Sequence, residues 1–389
     1  MKTKRELIHI SDDEKFVDNI YWQFEKIYPG QNKYYILVDN ASKALKYVTK
    51  RNGFIIVEKK NYRTISKLLN PDNIVFIHNL EEYKSRIVLE TSGKVNFVWM
   101  FYGVEYFSFF DAGDLFGPIS RKYQYQWLKT FLKRKFEPLF LTYHFIKNKK
   151  KHPRLLIREA VKKVSYFAIV HEEDFLLVKN KLRVELKHFL FSYYPLEFIV
   201  SDLGNGGVNS NNILLGNSSF LSNNHFEAIQ ILSKMNIQGR KIITPLSYGD
   251  ADYAEEVMNV GKIRFGASFV PINNFMPLKE YNKILNSCSV AIFNNYRQQA
   301  IGNTITLLWM GTKVYLDERN TFYQFLKRLK IHIFSINKDL NENNPKALES
   351  LNESEIKHNR KILSQELGSK VLLNKLHDQI ELIYSQDSE

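Results

Sequence analysis

Short apolar runs alternate with helical patterns along the chain. Leu7-Ile8-His9-Ile10 reads as a first strand, followed by the polar loop Ser11-Asp12-Asp13 and a helix from about Glu14 to Tyr28. Lys33–Val38 and Gly53–Val57 follow as strands, Tyr62–Leu69 as a helix, and Asn73–His78 as a buried-type strand ending on a histidine. Lys84–Ser92 reads as a helix closed by Gly93, and Val95–Phe101 as a strand running into Tyr102-Gly103-Val104-Glu105-Tyr106. Tyr166–Val170 is a further strand and Glu173–Lys181 a helix.

A second series begins after Leu203–Asn212, a linker with three glycines and four asparagines. Ile213-Leu214-Leu215 is a strand, and Ser222-Asn223-Asn224-His225 caps a helix running to Met235. Lys241–Pro245 is a strand, Ala251–Val260 a helix ended by Gly261, and Pro277–Asn286 another helix. The strand Ser289–Phe293 then feeds a polar loop, and Gly302-Asn303 opens an apolar helix that stops at Gly311 before the strand Lys313–Leu316. Lys357–Ser385 reads as helix. Strands alternating with helices indicate parallel sheets with right-handed crossovers. The expected class is α/β, with two doubly wound domains facing each other across a cleft. Residues 1–202 form the first, 203–212 the linker and 213–365 the second, while 366–389 packs back on the first.

Length supports that division, since 389 residues exceed one typical core. An aromatic content of 14% supplies enough apolar surface to make folding, not disorder, the expectation. The single cysteine, Cys288, lies in an apolar run and reads as core. The basic N-terminus turns acidic too soon for a signal peptide, and no run has the roughly 18 apolar residues of a membrane span, so a cytoplasmic protein is expected.

The net charge of +14 is concentrated. Arg121–Lys163 holds 14 Lys and Arg against Glu137 and Glu159, which leaves the remainder nearly neutral. Trp127, Phe131, Phe136, Leu139 and Phe145 are interleaved with those charges. Basic and large apolar residues at helical spacing suit an anionic membrane surface, with Lys133, Arg134, Lys135, Lys149, Lys150 and Lys151 as its contacts. A basic helix pair solvated on one face would show the same composition. No nucleic-acid signature accompanies the charge, so nucleic acid is not an expected partner.

Chemistry gathers at strand ends. In parallel sheets ligands bind at the carboxyl edge, which places Asp12, Asp13, His78, Tyr102 and Glu105 near one rim. In the second series three polar loops end strands: Gly216-Asn217-Ser218-Ser219, Ser247-Tyr248-Gly249 and Tyr296–Asn303. Unpaired N–H groups and the helix dipole at Gly302 favour an anion, and Arg297 adds a charge suited to phosphate. Asn217, Ser218, Tyr248, Arg297, Gln298, Gln299, Gly302 and Asn303 thus become the lining of a nucleotide-diphosphate pocket, with Tyr248 flanking a base. None of the loops has Walker or G-x-G-x-x-G spacing.

Three segments, ILLGNSSFLSNNHFEAI (Ile213–Ile229), TPLSYGDADYAEEV (Thr244–Val257) and YRQQAIGNTITLLWMG (Tyr296–Gly311), resemble glycosyltransferase family 56, the 4-alpha-L-fucosyltransferases. Looser matches are LIHI with Asp12 or Asp13, FIH ending at His78, and WMFYGVEYF at Trp99–Phe107. The resemblance implies a GT-B fold of two Rossmann-like domains, with the donor in the second and the acceptor in the first, and no catalytic metal or cofactor. It also implies transfer of 4-acetamido-4,6-dideoxygalactose from dTDP, or another such sugar from UDP, to a polyprenyl-diphosphate-linked saccharide in bacterial surface polysaccharide synthesis. The implied location is peripheral, on the inner face of the cell membrane.

Two departures from the family pattern stand out. Gln298 and Thr306 occupy positions where many GT-B enzymes carry glutamates, and Tyr102-Gly103-Val104-Glu105 replaces a W-G-A-D-like segment. By the resemblance, Glu105, or else Asp12 or Asp13, takes the acceptor proton, and His78 orients that carboxylate or meets the acceptor phosphate. Each also has a plain structural reading, as a salt-bridging acid, a helix cap or a satisfied histidine. Two other classes stay open: a metal-dependent transferase using Asp250-Ala251-Asp252, and a non-enzymatic membrane- or polyanion-binding adaptor.

Overall fold

The computed structural model describes residues 6–386, except position 13 and positions 43–44, 46–47, 49–52, 110–114, 124–134, 194, 201–206 and 238. Among the candidate site residues, Asp13, Lys133 and Arg134 lie outside the described set. The chain divides into two compact units, one of residues 1–112, 136–194 and 369–389, the other of 113–135 and 195–368. The division therefore falls at 195, ahead of the linker read from the sequence, and 113–135 belongs with the second unit.

The first unit is built on a wholly parallel seven-stranded sheet. Its strands are β1 (Leu7–Ser11), β2 (Asn32–Val38), β3 (Phe54–Glu58), β4 (Ile74–His78), β5 (Asn96–Met100), β6 (Tyr166–Ala168) and β7 (Lys187–Phe189), in the order β3-β2-β1-β4-β5-β6-β7. The chain travels outward from β1 to β3 and returns beside β1 as β4, with Ile8 opposite Lys33 on one side and Val75 on the other. That reversal opens a crevice at the carboxyl ends of β1 and β4. The helix Glu14–Ile27 buries Val17, Ile20 and Phe24, spaced three and four residues apart as one helical face requires. The helix Ser369–Gln386 covers the same core with Leu376, Ile380, Ile383 and Tyr384. Burying each such side chain contributes about 1.5–3 kcal/mol. Gln379 adds two hydrogen bonds with the backbone of Leu190, and Tyr28 donates to Glu381 at 2.6 Å.

The second unit carries a six-stranded parallel sheet: β8 (Asn212–Leu215), β9 (Ile242–Pro245), β10 (Phe269–Ile272), β11 (Cys288–Phe293), β12 (Lys313–Leu316) and β13 (Phe334–Ser335), in the order β10-β9-β8-β11-β12-β13. Here the switch point lies between β8 and β11. Pro271 conceals β10 in the sequence, and an edge strand is where a missing N–H is tolerated. The helix expected to end at Gly261 continues to Phe265. Gly261 packs against Phe269, whose ring atoms would lie 2.4 Å from an added Cβ, so this glycine serves close packing within the helix. The tail is two helices: Glu353–Leu367 stays in the second unit, and the chain turns extended at Gly368 before Ser369–Gln386.

Segment 115–123 is tied to the helix His225–Leu232. Glu227 accepts from Ile119 N (2.8 Å), Ser120 N (2.9 Å) and the Ser120 hydroxyl (2.5 Å), and Tyr123 stacks on Phe226. Among the described residues no helix is long and apolar enough to cross a membrane.

Candidate active site

The three polar loops of the second unit meet at the switch point. After β8 the chain turns through Gly216 at φ +68°, and a Cβ there would lie 2.3 Å from His225 Nε2, so only glycine fits. Asn217 donates its side-chain amide to the Tyr248 hydroxyl at 3.0 Å, while its backbone N–H is held by Asn223 Oδ1. Ser219 and Gly249 form a parallel bridge, with Ser219 N donating to Tyr248 O at 2.8 Å. Gln299 closes the set. It accepts from the Ser222 hydroxyl at 3.0 Å and reaches Asn217 Oδ1 at 3.5 Å.

Beside these loops is a cavity of about 250 Å³, lined among others by Asn217, Tyr248, Asn274, Phe275, Tyr281 and Asn303. Asn303 donates to Tyr281 OH at 3.2 Å, and Phe275 stands 86% exposed at the rim. The lining is amide, phenol and aromatic, which suits hydrogen bonding to a sugar and stacking on a base. Phe275 and Tyr281 were not among the sequence candidates. Their only sequence signal is an aromatic within the Asn-Pro-flanked turn 273–277 and another on the helix Leu278–Asn286 that follows.

Of the donor candidates, Asn217, Tyr248 and Asn303 line this cavity, and Ser218, Arg297, Gln298, Gln299 and Gly302 do not. Ser218 is fully buried and accepts from Asn223 at 3.0 Å, and Gln298 is buried, so both support the loops from behind. Arg297 is half-buried, with its guanidinium donating to Gln298 O at 3.2 Å. Ala300, in the left-handed conformation at φ +57°, is the N-cap of the helix Ile301–Met310 and offers it no side-chain bond. Gly302 therefore sits in a first turn that no N-cap side chain occupies. A second cation, missed in the sequence, stands at the same edge: Arg319 lies 3.3 Å over the Tyr296 ring and pairs with the buried Asp317 through two bonds of 2.7 Å. Asp250 accepts from Tyr253 N at 2.9 Å and caps the helix Ala251–Phe265, which is the helix-start reading of the D-x-D triplet. The residues expected to cap the helix His225–Leu232 do other work. Asn224 is its N-cap without a side-chain cap bond, and its amide binds Leu115 O, Ser222 O and Asn294 O.

In the first unit, the candidates His78 and Glu105 are both buried. His78 has both ring nitrogens engaged, by His9 at 3.3 Å and by the Tyr193 hydroxyl at 2.8 Å. With Asn32 accepting from His9, one consistent proton arrangement keeps both rings neutral, and burial holds both well below the ordinary histidine range, His9 at about 3. A neutral imidazole with no nitrogen to spare is a poor phosphate ligand, so the structure corrects the sequence reading of His78 to a structural one. Glu105 lies in the first turn of the helix Val104–Phe109. Its Oε1 accepts from Trp99 Nε1 (3.0 Å) and Tyr102 N (3.1 Å), and burial pushes its pKa up to about 7. At 2% exposure it is an interior acid, and Asp12, 9% exposed, is ion-paired with the buried Lys84.

Solved structures of similar fold include proteins named for trehalose-6-phosphate. The N-terminal domain of Candida albicans trehalose-6-phosphate phosphatase matches with TM-score 0.62 at 10% identity, covering 98% of this chain and 97% of that one. The alpha,alpha-trehalose 6-phosphate synthase of Burkholderia multivorans gives 0.61 at 9%, over 98% and 99%. A trehalose-6-phosphate protein from E. coli bound with UDP-2-fluoro glucose gives 0.56 at 11%, over 99% of each chain. Identities this low establish the fold alone, and the fold is GT-B. The family model described as 4-alpha-L-fucosyltransferase glycosyl transferase group 56 matches residues 156–360, more than half of the chain, and the protein belongs to that family of glycosyltransferases.

Proposed function

We propose that the enzyme moves a 4-acetamido-4,6-dideoxyhexose-type sugar from dTDP, or from UDP, to a polyprenyl-diphosphate-linked saccharide in bacterial surface polysaccharide synthesis. The observation that carries this reading is the cavity where the three loops of the second unit converge. Tyr248 and Phe275 offer flat faces to the base, and Asn217 and Asn303 offer amides to hydroxyl and acetamido groups. Arg297 and the first turn of the helix Ile301–Met310 neutralise the diphosphate as the glycosidic bond breaks, which lowers the barrier where charge develops.

A charge-assisted phosphate contact is worth about 1.5–3 kcal/mol, or about 10- to 100-fold in affinity. Arg297→Ala is accordingly expected to weaken dTDP and dTDP-sugar binding by that factor in calorimetry, with the melting temperature moved by less than about 2 °C for a single surface-loop change. An unchanged dissociation constant would remove Arg297 from the phosphate site.

The proposed acceptor is lipid-linked, and the helix Glu137–Asn148 supports work at an anionic membrane surface from the inner face of the cell. It has no buried residues. Phe136, Leu139, Tyr143 and Ile146 are all exposed and recur at steps of three, four and three, one face of the helix. Lys147, Lys149 and Lys150, all exposed, lie in or directly after this helix, and Lys151 pairs with Glu159 at 2.9 Å. Apolar insertion with basic residues at the headgroups is the arrangement of an interfacial helix. Burying two such side chains is worth about 3 kcal/mol, so Leu139→Glu/Ile146→Glu should lower partitioning onto phosphatidylglycerol-containing vesicles at least about 30-fold. Equal sedimentation of variant and wild type would rule the face out.

A further inference from the structure

The first unit carries a basic cavity beside the exposed helix Glu137–Asn148, and the donor site does not account for it. Its volume is about 470 Å³, within the about 300–1,000 Å³ typical of small-ligand sites. Three separate stretches build its wall. They are the turn after β3, the start of the helix Glu82–Glu90, and the junction of the helices Glu137–Asn148 and Pro153–Val161. Lys60, Arg86, Lys149, Lys150 and Lys151 line it against a single acid, Glu82.

The ion pairs leave a surplus of charge. Lys60 pairs with Glu58 at 2.6 Å, Lys151 with Glu159 at 2.9 Å, and Arg86 with Glu82 at 3.0 Å. Lys149 and Lys150, both exposed, pair with no acid among the described residues, so two positive charges stay uncompensated. Arg86 is only 23% exposed, and two of its N–H groups donate to one Glu82 oxygen, at 3.0 Å and 3.3 Å. Its guanidinium is thereby fixed in the wall, with three of five donors unused by the described residues. Lys149 is held in the left-handed conformation at φ +49°, where glycine or asparagine is usual. Its N–H closes the helix on Phe145 O at 2.8 Å, and the turn delivers Lys149, Lys150 and Lys151 to the cavity. A long cationic side chain kept at such a position points to a use for its charge.

Apolar surface adjoins that charge. Phe145, 55% exposed, lines the cavity, and Ile146 and Tyr143 near it in the helix are exposed as well. A ligand that fits both surfaces carries a phosphate and hydrocarbon in one molecule, whereas inorganic phosphate would use the charge alone.

We propose that this cavity holds the phosphate of an anionic phospholipid headgroup while the helix Glu137–Asn148 lies at the membrane surface. The inference rests on the membrane-surface reading above and deepens it, from general attraction to one seated lipid. Lys149 and Lys150 neutralise the phosphate, Arg86 donates to its oxygens, and the acyl chains leave past Phe145.

The test titrates the full-length protein by calorimetry with dihexanoyl phosphatidylglycerol, kept below its micellar concentration so that no membrane is present. Wild type is expected to bind one lipid saturably. Dihexanoyl phosphatidylcholine and inorganic phosphate should each bind at least about tenfold more weakly. A basic residue near an anionic lipid is worth about fivefold, so Lys149→Gln/Lys150→Gln should weaken phosphatidylglycerol binding about 30-fold. Lys94→Gln/Lys162→Gln removes the same charge from exposed positions of this unit outside the cavity, and should leave affinity within about twofold. Glu82→Gln removes the acid in the wall and releases Arg86, so it is expected to tighten binding about fivefold. A cluster with only a structural role would show no such gain. The proposal is overturned if wild type shows no saturable binding of phosphatidylglycerol. It is equally overturned if the Lys94/Lys162 change costs as much as the Lys149/Lys150 change, which is diffuse charge, or if inorganic phosphate binds as tightly as the lipid. Sedimentation with phosphatidylglycerol-containing vesicles reads the membrane surface separately. Binding of the soluble lipid without sedimentation would keep the lipid-phosphate site and remove the membrane reading, and sedimentation without binding of the soluble lipid would do the reverse.

Discussion

Asn224→Ala is expected to cost the second unit about 4 kcal/mol, close to 10 °C of melting temperature for a unit of this size. Asn224 is fully buried at φ +49°, and its side chain is used completely. Oδ1 accepts from Gly117 N at 2.8 Å, and the amide donates to Asn294 O at 2.8 Å, Leu115 O at 3.1 Å and Ser222 O at 3.3 Å. Asn294 returns the bond, donating to Asn224 O at 3.1 Å. Truncation to alanine leaves one buried N–H and several carbonyls unpaired, at about 1 kcal/mol or more each, and places alanine in a backbone region that asparagine tolerates better. Asn224→Gly separates the two contributions, because it loses the same bonds but carries no backbone strain. It should therefore melt above the alanine variant and still well below wild type. A loss under 1 kcal/mol for Asn224→Ala in urea unfolding would show that water replaces these bonds at little cost.

That residue also shows what the sequence could and could not reveal. Ser222-Asn223-Asn224-His225 reads as a helix cap, and a helix does begin at His225. The amide, though, binds residues 107 and 70 positions away, and no local pattern encodes partners that the fold brings together. The three polar loops of the second unit were legible because each lies directly after an apolar strand, where parallel sheets concentrate ligands. Asn217, Tyr248, Gln299 and Asn303 do come together there. Lys84 was not legible, since a lysine in a helical pattern reads as a solvated face until the fold places Asp12 against it. His78 misled for the opposite reason. A histidine ending a buried strand looks reactive, but here His9 stacks at 5.5 Å and consumes one of its nitrogens. The proline in β10 and the three-residue length of β7 hid those strands.

The two positions where related folds carry glutamates also gain a physical account. Gln298 and Thr306 are both buried. A carboxylate at either would need its own cation, and Arg297 already donates to Gln298 O. Neutral side chains at both positions avoid that cost. Arg319, stacked on Tyr296 and neutralised by Asp317, holds the same loop in place without adding net charge.

Glu105→Gln is expected to make the first unit less sensitive to pH between about 4.5 and 7. Burial raises the Glu105 pKa to about 7 in the folded protein, above its unfolded value. The folded state therefore holds a proton that the unfolded chain has already released in this interval, and stability falls as pH rises through it. A shift of this size corresponds to about 3 kcal/mol between pH 4.5 and 7, with no further change above. Three histidines act in the opposite sense. His9 and His225, both lowered to about 3, and His78, also lowered, bind fewer protons folded than unfolded, so they weaken the protein as pH drops below 6.5. These histidine effects are common to both proteins and cancel in the difference between variant and wild type. The glutamine keeps an oxygen for Trp99 Nε1 and Tyr102 N and replaces an acid that must lose its proton with an amide that never ionises. Urea unfolding at pH 5 and pH 8 should show the variant gaining about 3 kcal/mol on wild type over that span. A constant difference across pH would mean that Glu105 titrates alike in the folded and unfolded chain, and that its enclosure by Trp99 and Tyr102 leaves it in contact with water.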